Sequence, residues 1–137
     1  MNYLVWAVVA LVGYSAFVPL ASLATKQMPS HVTALVTNTM LACSALALTV
    51  VRGDDAVEYL SGRPLVYTVA AGVFLSVGIL AYYRALSQGP VSVVTPIYGS
   101  FLVGASVLGI VFLDEPFSLA KGVGIVLTMA GVYLVAS

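Results

Sequence analysis

Five runs of predominantly apolar residues fill most of the chain, separated by short segments that contain proline, glycine and charge. A helix needs about 20 such residues to cross the hydrocarbon core of a bilayer. Only 7% of the residues are charged, against roughly 25% in soluble domains. The continuous runs also lack the alternation that is typical of transmembrane β-strands. The sequence therefore predicts an all-α integral membrane protein, a single membrane domain over residues 1–137 with spans at about 3–24, 31–51, 65–86, 91–113 and 117–136.

The orientation of these spans is weakly specified by charge. With consecutive spans antiparallel, one side of the membrane holds Arg52, Arg63 and Lys121, and the other holds Lys26 and Arg84. Lys and Arg concentrate on the cytoplasmic side when orientation is set by charge. Three against two is almost no bias. Either another feature fixes the orientation, or the chain inserts both ways, and the sequence leaves both open.

Several classes of chemistry have no support in the sequence. No metal-ligand cluster, nucleophile–base pair or phosphate-binding glycine loop is present, so we expect no enzyme, no metal and no cofactor. The net charge is zero and no basic run occurs, which argues against nucleic-acid binding. No Asp or Glu falls within a predicted span. Proton exchange through an intramembrane carboxylate is therefore disfavoured.

The polarity inside the predicted spans is neutral. Thr37 lies on one face of span two with Asn38 beside it, and an amide at that depth needs a partner because hydrocarbon offers none. That partner is either another helix or a substrate. Tyr14 and Tyr98 lie deeper than the interfacial aromatic belt and carry a hydroxyl with the same requirement. Pro19, in span one, is either a hinge or an ordinary kink.

Small residues recur four apart in the last two spans, which lets helix backbones approach closely in lipid. They serve either packing within the chain or a subunit interface. As an interface, the predicted residues are Ser100, Gly104, Gly109, Gly124, Thr128 and Gly131.

The amino-acid sequence of the second half resembles the EamA domain of the drug/metabolite transporter superfamily. The stretch "AYYRALSQGPVSVVTPIYGSFLVGASVLGIVFLDEPFSLAKGVGIVLTMAGVYLV" carries the aromatic "YYRAL", the small-residue turn, "VVTPI", the "FLDE" end and the glycine-containing last span. The first half, "GYSAFVPLASLATKQMPS", is similar more loosely, with Tyr14 where a tryptophan is common. Family members commonly carry two such domains, so the resemblance implies one half of a ten-span inverted-repeat fold.

The resemblance implies a secondary transporter that works by alternating access as an antiparallel homodimer, since an odd number of spans inverts between copies. A parallel dimer or a separate partner are the alternatives. Hydroxyls, an amide and aromatic rings suit a small neutral or zwitterionic metabolite. The expected pathway residues are Tyr14, Thr37, Asn38, Tyr83, Thr95 and Tyr98, and the expected hinges are Pro19 and Pro96.

Two other functions remain open at this stage: a non-transporting assembly or lipid-handling subunit, and a proton-coupled multidrug exporter. The first predicts a dry, packed interior. The expected partners are a small-molecule substrate, the lipid bilayer and a second copy of the chain. The expected location is a multi-pass position in a prokaryotic plasma membrane. The substrate and the direction of transport do not follow from the sequence.

Overall fold

The computed structural model describes residues 2–137, and this part of the chain is helical with short links. Five stretches are long and apolar enough to cross a membrane, as the sequence predicted. The fourth of them, Val91–Phe112, consists of two shorter helices. The elements are α1 (Tyr3–Gln27), α2 (Ser30–Arg52), α3 (Gly62–Gln88), α4 (Val91–Gly99), α5 (Phe101–Phe112) and α6 (Leu119–Ala136).

Local chemistry sets where the helices begin and end. Pro29 precedes α2 as its N-cap, where the missing amide hydrogen costs nothing. Gly53 ends α2 in the left-handed region at φ 72°, which a residue without a Cβ adopts readily. Ser118 precedes α6, and its side chain accepts a hydrogen bond from the Lys121 amide at 3.2 Å.

The hydroxyl groups within the spans are mostly satisfied by their own helix. Ser15 donates to the carbonyl of Leu11 at 2.8 Å, and Ser44 donates to Met40 at 2.8 Å. Ser76 does the same one turn back on α3. Because a polar group in hydrocarbon must find a partner, this back-bonding lets exposed serines face lipid.

Proline affects the two halves differently. α1 passes through Pro19 without interruption. The predicted fourth span, by contrast, is divided at Ser100, whose amide donates to the carbonyls of Pro96 and Ile97 at 3.1 and 3.2 Å. Pro96 lies inside α4 and has no amide hydrogen to donate. The division at Ser100 falls one turn after the proline.

The first compact unit covers residues 1–88 and contains α1, α2 and α3, which pack pairwise. Its buried apolar side chains lie where the end of α1, the start of α2 and the end of α3 meet: Val18, Ala21, Ala34, Tyr82, Tyr83 and Leu86. Elsewhere large apolar side chains are exposed, as expected when lipid is the solvent.

The second compact unit covers residues 89–137 and contains α4, α5 and α6. α6 packs against both α4 and α5. Within the link between α5 and α6, Asp114 adopts φ 51°, a conformation that Asp tolerates better than most residues with a side chain. The turn that results directs Glu115 back toward α5, where its amide donates to the carbonyl of Gly109 at 3.3 Å.

Candidate functional site

A hydrogen bond joins two spans of the first unit. The hydroxyl oxygens of Thr37 on α2 and Tyr83 on α3 lie 2.5 Å apart. The Thr37 hydroxyl also lies 3.0 Å from the carbonyl of Thr33 and 3.2 Å from that of Ala34. Thr37 has one hydroxyl hydrogen. The network is consistent when Tyr83 donates to Thr37 and Thr37 donates to its own helix.

Aromatic rings extend from this hydrogen bond toward α1. The ring of Phe17 contacts Tyr83 edge to face, with centroids 6.1 Å apart. Phe17 also contacts Tyr14, with centroids 5.9 Å apart. Tyr82 contributes a further edge contact to Tyr83 at 6.5 Å. Phe17 therefore connects two predicted pathway residues. Sequence reasoning missed it, although its spacing of three from Tyr14 on a helix was the available signal.

The members of this cluster differ in accessibility. Tyr83 is 1% exposed, whereas Tyr14 is 60% exposed. Thr37, Asn38 and Phe17 are half-buried. Tyr14, Phe17 and Thr37 are the accessible members of the contact network, and Asn38 follows Thr37 on α2. Tyr83 is buried and fixes the position of the Thr37 hydroxyl.

The Asn38 amide donates one hydrogen bond, from Nδ2 to the carbonyl of Ala34 at 2.8 Å. An asparagine side chain can donate two hydrogen bonds and accept two. Within residues 2–137, no helix-to-helix hydrogen bond of this amide is present. The helix–helix partner that the sequence left open is thus not found in the described part of the chain, and the remaining capacity is available to a ligand.

Two buried hydroxyls near the α1–α2 link have no partner among the described residues. Ser22 is 2% exposed and Thr33 is 3% exposed, and neither hydroxyl makes a hydrogen bond there. Nearby Thr25 donates to the carbonyl of Ser22 at 3.0 Å. Buried polar groups are usually hydrogen-bonded. The hydroxyls of Ser22 and Thr33 therefore remain able to form hydrogen bonds with another group.

The other two predicted pathway residues lie in the second unit, on α4. The Thr95 hydroxyl is buried, and no hydrogen-bond partner for it is found in residues 2–137. The Tyr98 ring contacts Phe101 at a centroid distance of 5.1 Å. The structure thus places Tyr14, Thr37, Asn38 and Tyr83 in the first unit. Thr95 and Tyr98 both lie on α4, in the second unit.

The predicted interface residues on α5 and α6 are mostly open. A side-chain carbon added at Gly104, Gly124 or Gly131 would meet no atom within 4 Å. The hydroxyl of Thr128 donates to Gly124 at 2.8 Å and that of Ser100 donates to Ile97 at 2.6 Å. Gly109 differs from the others, because Glu115 of the same chain covers it.

Comparison with known proteins places the chain in a family. The EamA-like transporter family matches residues 1–137. A protein of Sinorhizobium sp described as an uncharacterized transporter is 24% identical over 132 residues, 96% of this chain and 94% of that protein. An uncharacterized protein of Methanocaldococcus jannaschii is 33% identical over 72 residues, 53% of each chain. No solved structure matches significantly. The chain therefore belongs to the EamA-like transporter family and is a multi-pass membrane transporter.

Proposed function

We propose that the chain is a secondary transporter of a small neutral or zwitterionic metabolite, and that it works by alternating access as an antiparallel homodimer. The observation that carries this proposal is the Thr37–Tyr83 hydrogen bond beneath an accessible surface of Tyr14, Phe17 and Asn38. Transport needs polar groups that are held in place yet reachable from within the membrane, and this cluster has both properties.

The chemistry of the cluster favours an uncharged or internally neutral ligand. It offers two hydroxyls, an amide and two aromatic rings, and none of its members is charged. A zwitterion would place an ammonium against the ring faces, which attract cations. Its carboxylate would accept hydrogen bonds from the Asn38 amide. A strongly charged ligand would lose its hydration without gaining a full counter-charge.

In the proposed dimer, a second copy provides the other five spans of a ten-span inverted repeat. An odd number of spans allows two copies to face opposite ways. The near balance of Lys and Arg between the two sides is compatible with dual insertion. The open small-residue positions Gly104 and Gly131 support close approach of a partner helix.

In the proposed alternating-access cycle, Tyr83 is buried in one conformation and accessible to substrate in another. In this conformation the ring is 1% exposed, so a substrate that reached its hydroxyl would do so after α1 or α2 moved. Pro19 and Pro96 are the proposed hinges. Pro96 is the stronger of the two because span four is divided one turn after it, at Ser100. Such a protein would act in a prokaryotic plasma membrane.

Counterflow in proteoliposomes tests the proposal. The panel would contain radiolabelled neutral amino acids and polyols, with a dicarboxylate and a tetraalkylammonium ion as charged comparisons. We expect uptake of a neutral or zwitterionic compound, a decrease of about tenfold in Thr37→Val, and no change in Ser44→Ala. Ser44 is the matched control because its exposed hydroxyl bonds only its own helix. Uptake confined to the charged compounds, or equal loss in both variants, would overturn the proposal.

A further inference from the structure

A groove lies between α5 and α6, made entirely by residues of the second unit. Its cavity volume is about 400 Å³, within the range of roughly 300–1,000 Å³ that small-ligand pockets occupy. Apolar side chains of both helices make its walls, and two charged residues lie at one end. The lining includes Leu102, Ser106, Ile110, Glu115, Lys121 and Thr128.

The body of the groove offers little hydrogen bonding. The Ser106 hydroxyl donates to the carbonyl of Leu102 at 2.9 Å, and that of Thr128 donates to Gly124 at 2.8 Å. Their hydrogens are therefore engaged within the helices. From Leu102 to Ile110 the wall on α5 extends about 12 Å along the helix axis. A hydrocarbon chain fits this surface, whereas a compact polar metabolite does not.

The charged end of the groove is built by the backbone. Asp114 has a left-handed backbone conformation with φ 51°, and the Glu115 amide donates a hydrogen bond to the carbonyl of Gly109. The Glu115 carboxylate then lies against α5. A side-chain carbon added at Gly109 would be 3.3 Å from Cδ and Oε2 of Glu115 and 3.4 Å from Oε1. The Glu115 carboxylate therefore occupies space next to Gly109 that a larger side chain there would need.

The two charges at this end remain available. Lys121 Nζ donates to the carbonyl of Pro116 at 2.7 Å, which uses one of its three hydrogens. In residues 2–137, neither an ion pair nor a hydrogen bond engages the Glu115 side chain. An unpaired carboxylate beside a hydrocarbon phase is unfavourable. The groove therefore has one anionic and one cationic group at one end of its apolar walls.

We propose that this groove binds a membrane phospholipid whose headgroup carries a primary ammonium. The ammonium meets the Glu115 carboxylate, the phosphate meets the Lys121 ammonium, and one acyl chain lies between α5 and α6. The position fits a lipid because the link at residues 113–118 lies where span four leaves the membrane. The end of α6 from a second copy fits less well, since the last turn of α6 offers no basic group to Glu115.

Native mass spectrometry of the detergent-purified protein tests this site without any transport substrate. The probes are dioleoyl phosphatidylethanolamine, phosphatidylcholine and phosphatidylglycerol. We expect phosphatidylethanolamine to bind about tenfold more tightly than the other two, since only its headgroup carries a charged N–H donor for a carboxylate. Glu115→Gln removes this preference, and Lys121→Gln weakens all three lipids. Glu58→Gln, in the α2–α3 link, leaves binding unchanged.

Three results would overturn the proposal: equal binding of phosphatidylethanolamine and phosphatidylglycerol, an unchanged preference in Glu115→Gln, or equally tight binding of water-soluble glycerophosphoethanolamine. Photocrosslinking of the unmodified protein covers the case in which a variant does not fold. A phosphatidylethanolamine with a photoreactive acyl chain should label residues 102–110 and 121–128. Labelling confined to other segments would also overturn it.

Discussion

The Tyr83 hydroxyl on α3 lies 2.5 Å from the Thr37 hydroxyl on α2, and it links two residues that are 46 positions apart in the sequence. A hydroxyl in hydrocarbon has few alternative partners. The bond therefore fixes the Thr37 side chain and couples α2 to α3 at the same place. The loss of the hydrogen bond itself and the coupling between the two hydroxyls can be measured separately.

Tyr83→Phe removes only the phenolic oxygen. We expect the free energy of unfolding to fall by about 0.5–1.5 kcal/mol, because one hydrogen bond between spans is lost while the ring contacts with Phe17 and Tyr82 remain. Unfolding in mixed micelles measures the change. Tyr67→Phe is the matched control, since Tyr67 lies on the same helix and is 71% exposed.

The coupling between the two hydroxyls follows from a double-mutant cycle of Tyr83→Phe and Thr37→Val. Side-chain hydrogen bonds between membrane helices average about 0.6 kcal/mol in such cycles, and we expect a coupling of that size. Additive losses in the double variant would mean that the two hydroxyls act independently of each other.

The left-handed cap of α2 predicts a difference between two glycines. Gly53 has φ 72°, and an added side chain there would meet nothing within 4 Å. Gly53→Ala should therefore lower the free energy of unfolding by about 1 kcal/mol through backbone strain alone. Gly72→Ala, in the interior of α3 with equally open surroundings, should cause no loss. Equal effects of the two substitutions in the unfolding assay would contradict this reading.

Pro96 as a hinge predicts opposite effects on stability and transport. Pro96→Ala should raise the free energy of unfolding by no more than the roughly 3 kcal/mol that an interior proline costs a helix, while slowing counterflow. Pro90→Ala is the control because Pro90 is the N-cap of α4, where the helix does not need an amide hydrogen. A variant that is both more stable and fully active would remove Pro96 from the mechanism.

Dual insertion predicts that one site in the α2–α3 link is labelled from both sides of the membrane. The site is Ala56→Cys in a chain that also carries Cys43→Ala. Adding Asp54→Lys and Asp55→Lys should make labelling one-sided, because basic residues retain a short link in the cytoplasm. The matched pair Asp54→Asn and Asp55→Asn should leave it two-sided, since acids contribute little. One-sided labelling of the starting chain would exclude an antiparallel homodimer.

The position of Glu115 depends on Gly109. Gly109→Val should displace the carboxylate and abolish the preference for phosphatidylethanolamine, since an added carbon already meets Glu115 at 3.3 Å. Gly104→Val, on the same helix but with nothing within 4 Å, should keep the preference. The same mass-spectrometric titration compares the two variants.

The sequence by itself determined the solvent, the class of fold and the family. Runs of about 20 apolar residues have one stable solution in a bilayer, because a backbone in hydrocarbon must satisfy its hydrogen bonds internally. Those runs exist without any tertiary contact. The pairing of Thr37 with Tyr83 is different: both were predicted as pathway residues, yet nothing in one dimension showed that they meet or that Tyr83 is buried.

The tertiary structure also decided what the link between the last two spans does. From the sequence, Asp114 and Glu115 are acids that precede a helix, where its dipole favours them. In three dimensions Asp114 adopts a left-handed backbone conformation, and Glu115 lies on Gly109 beside a groove. Composition and periodicity fix how each helix meets lipid. Contacts between side chains distant in the sequence fix which polar groups have partners and which remain available to a ligand.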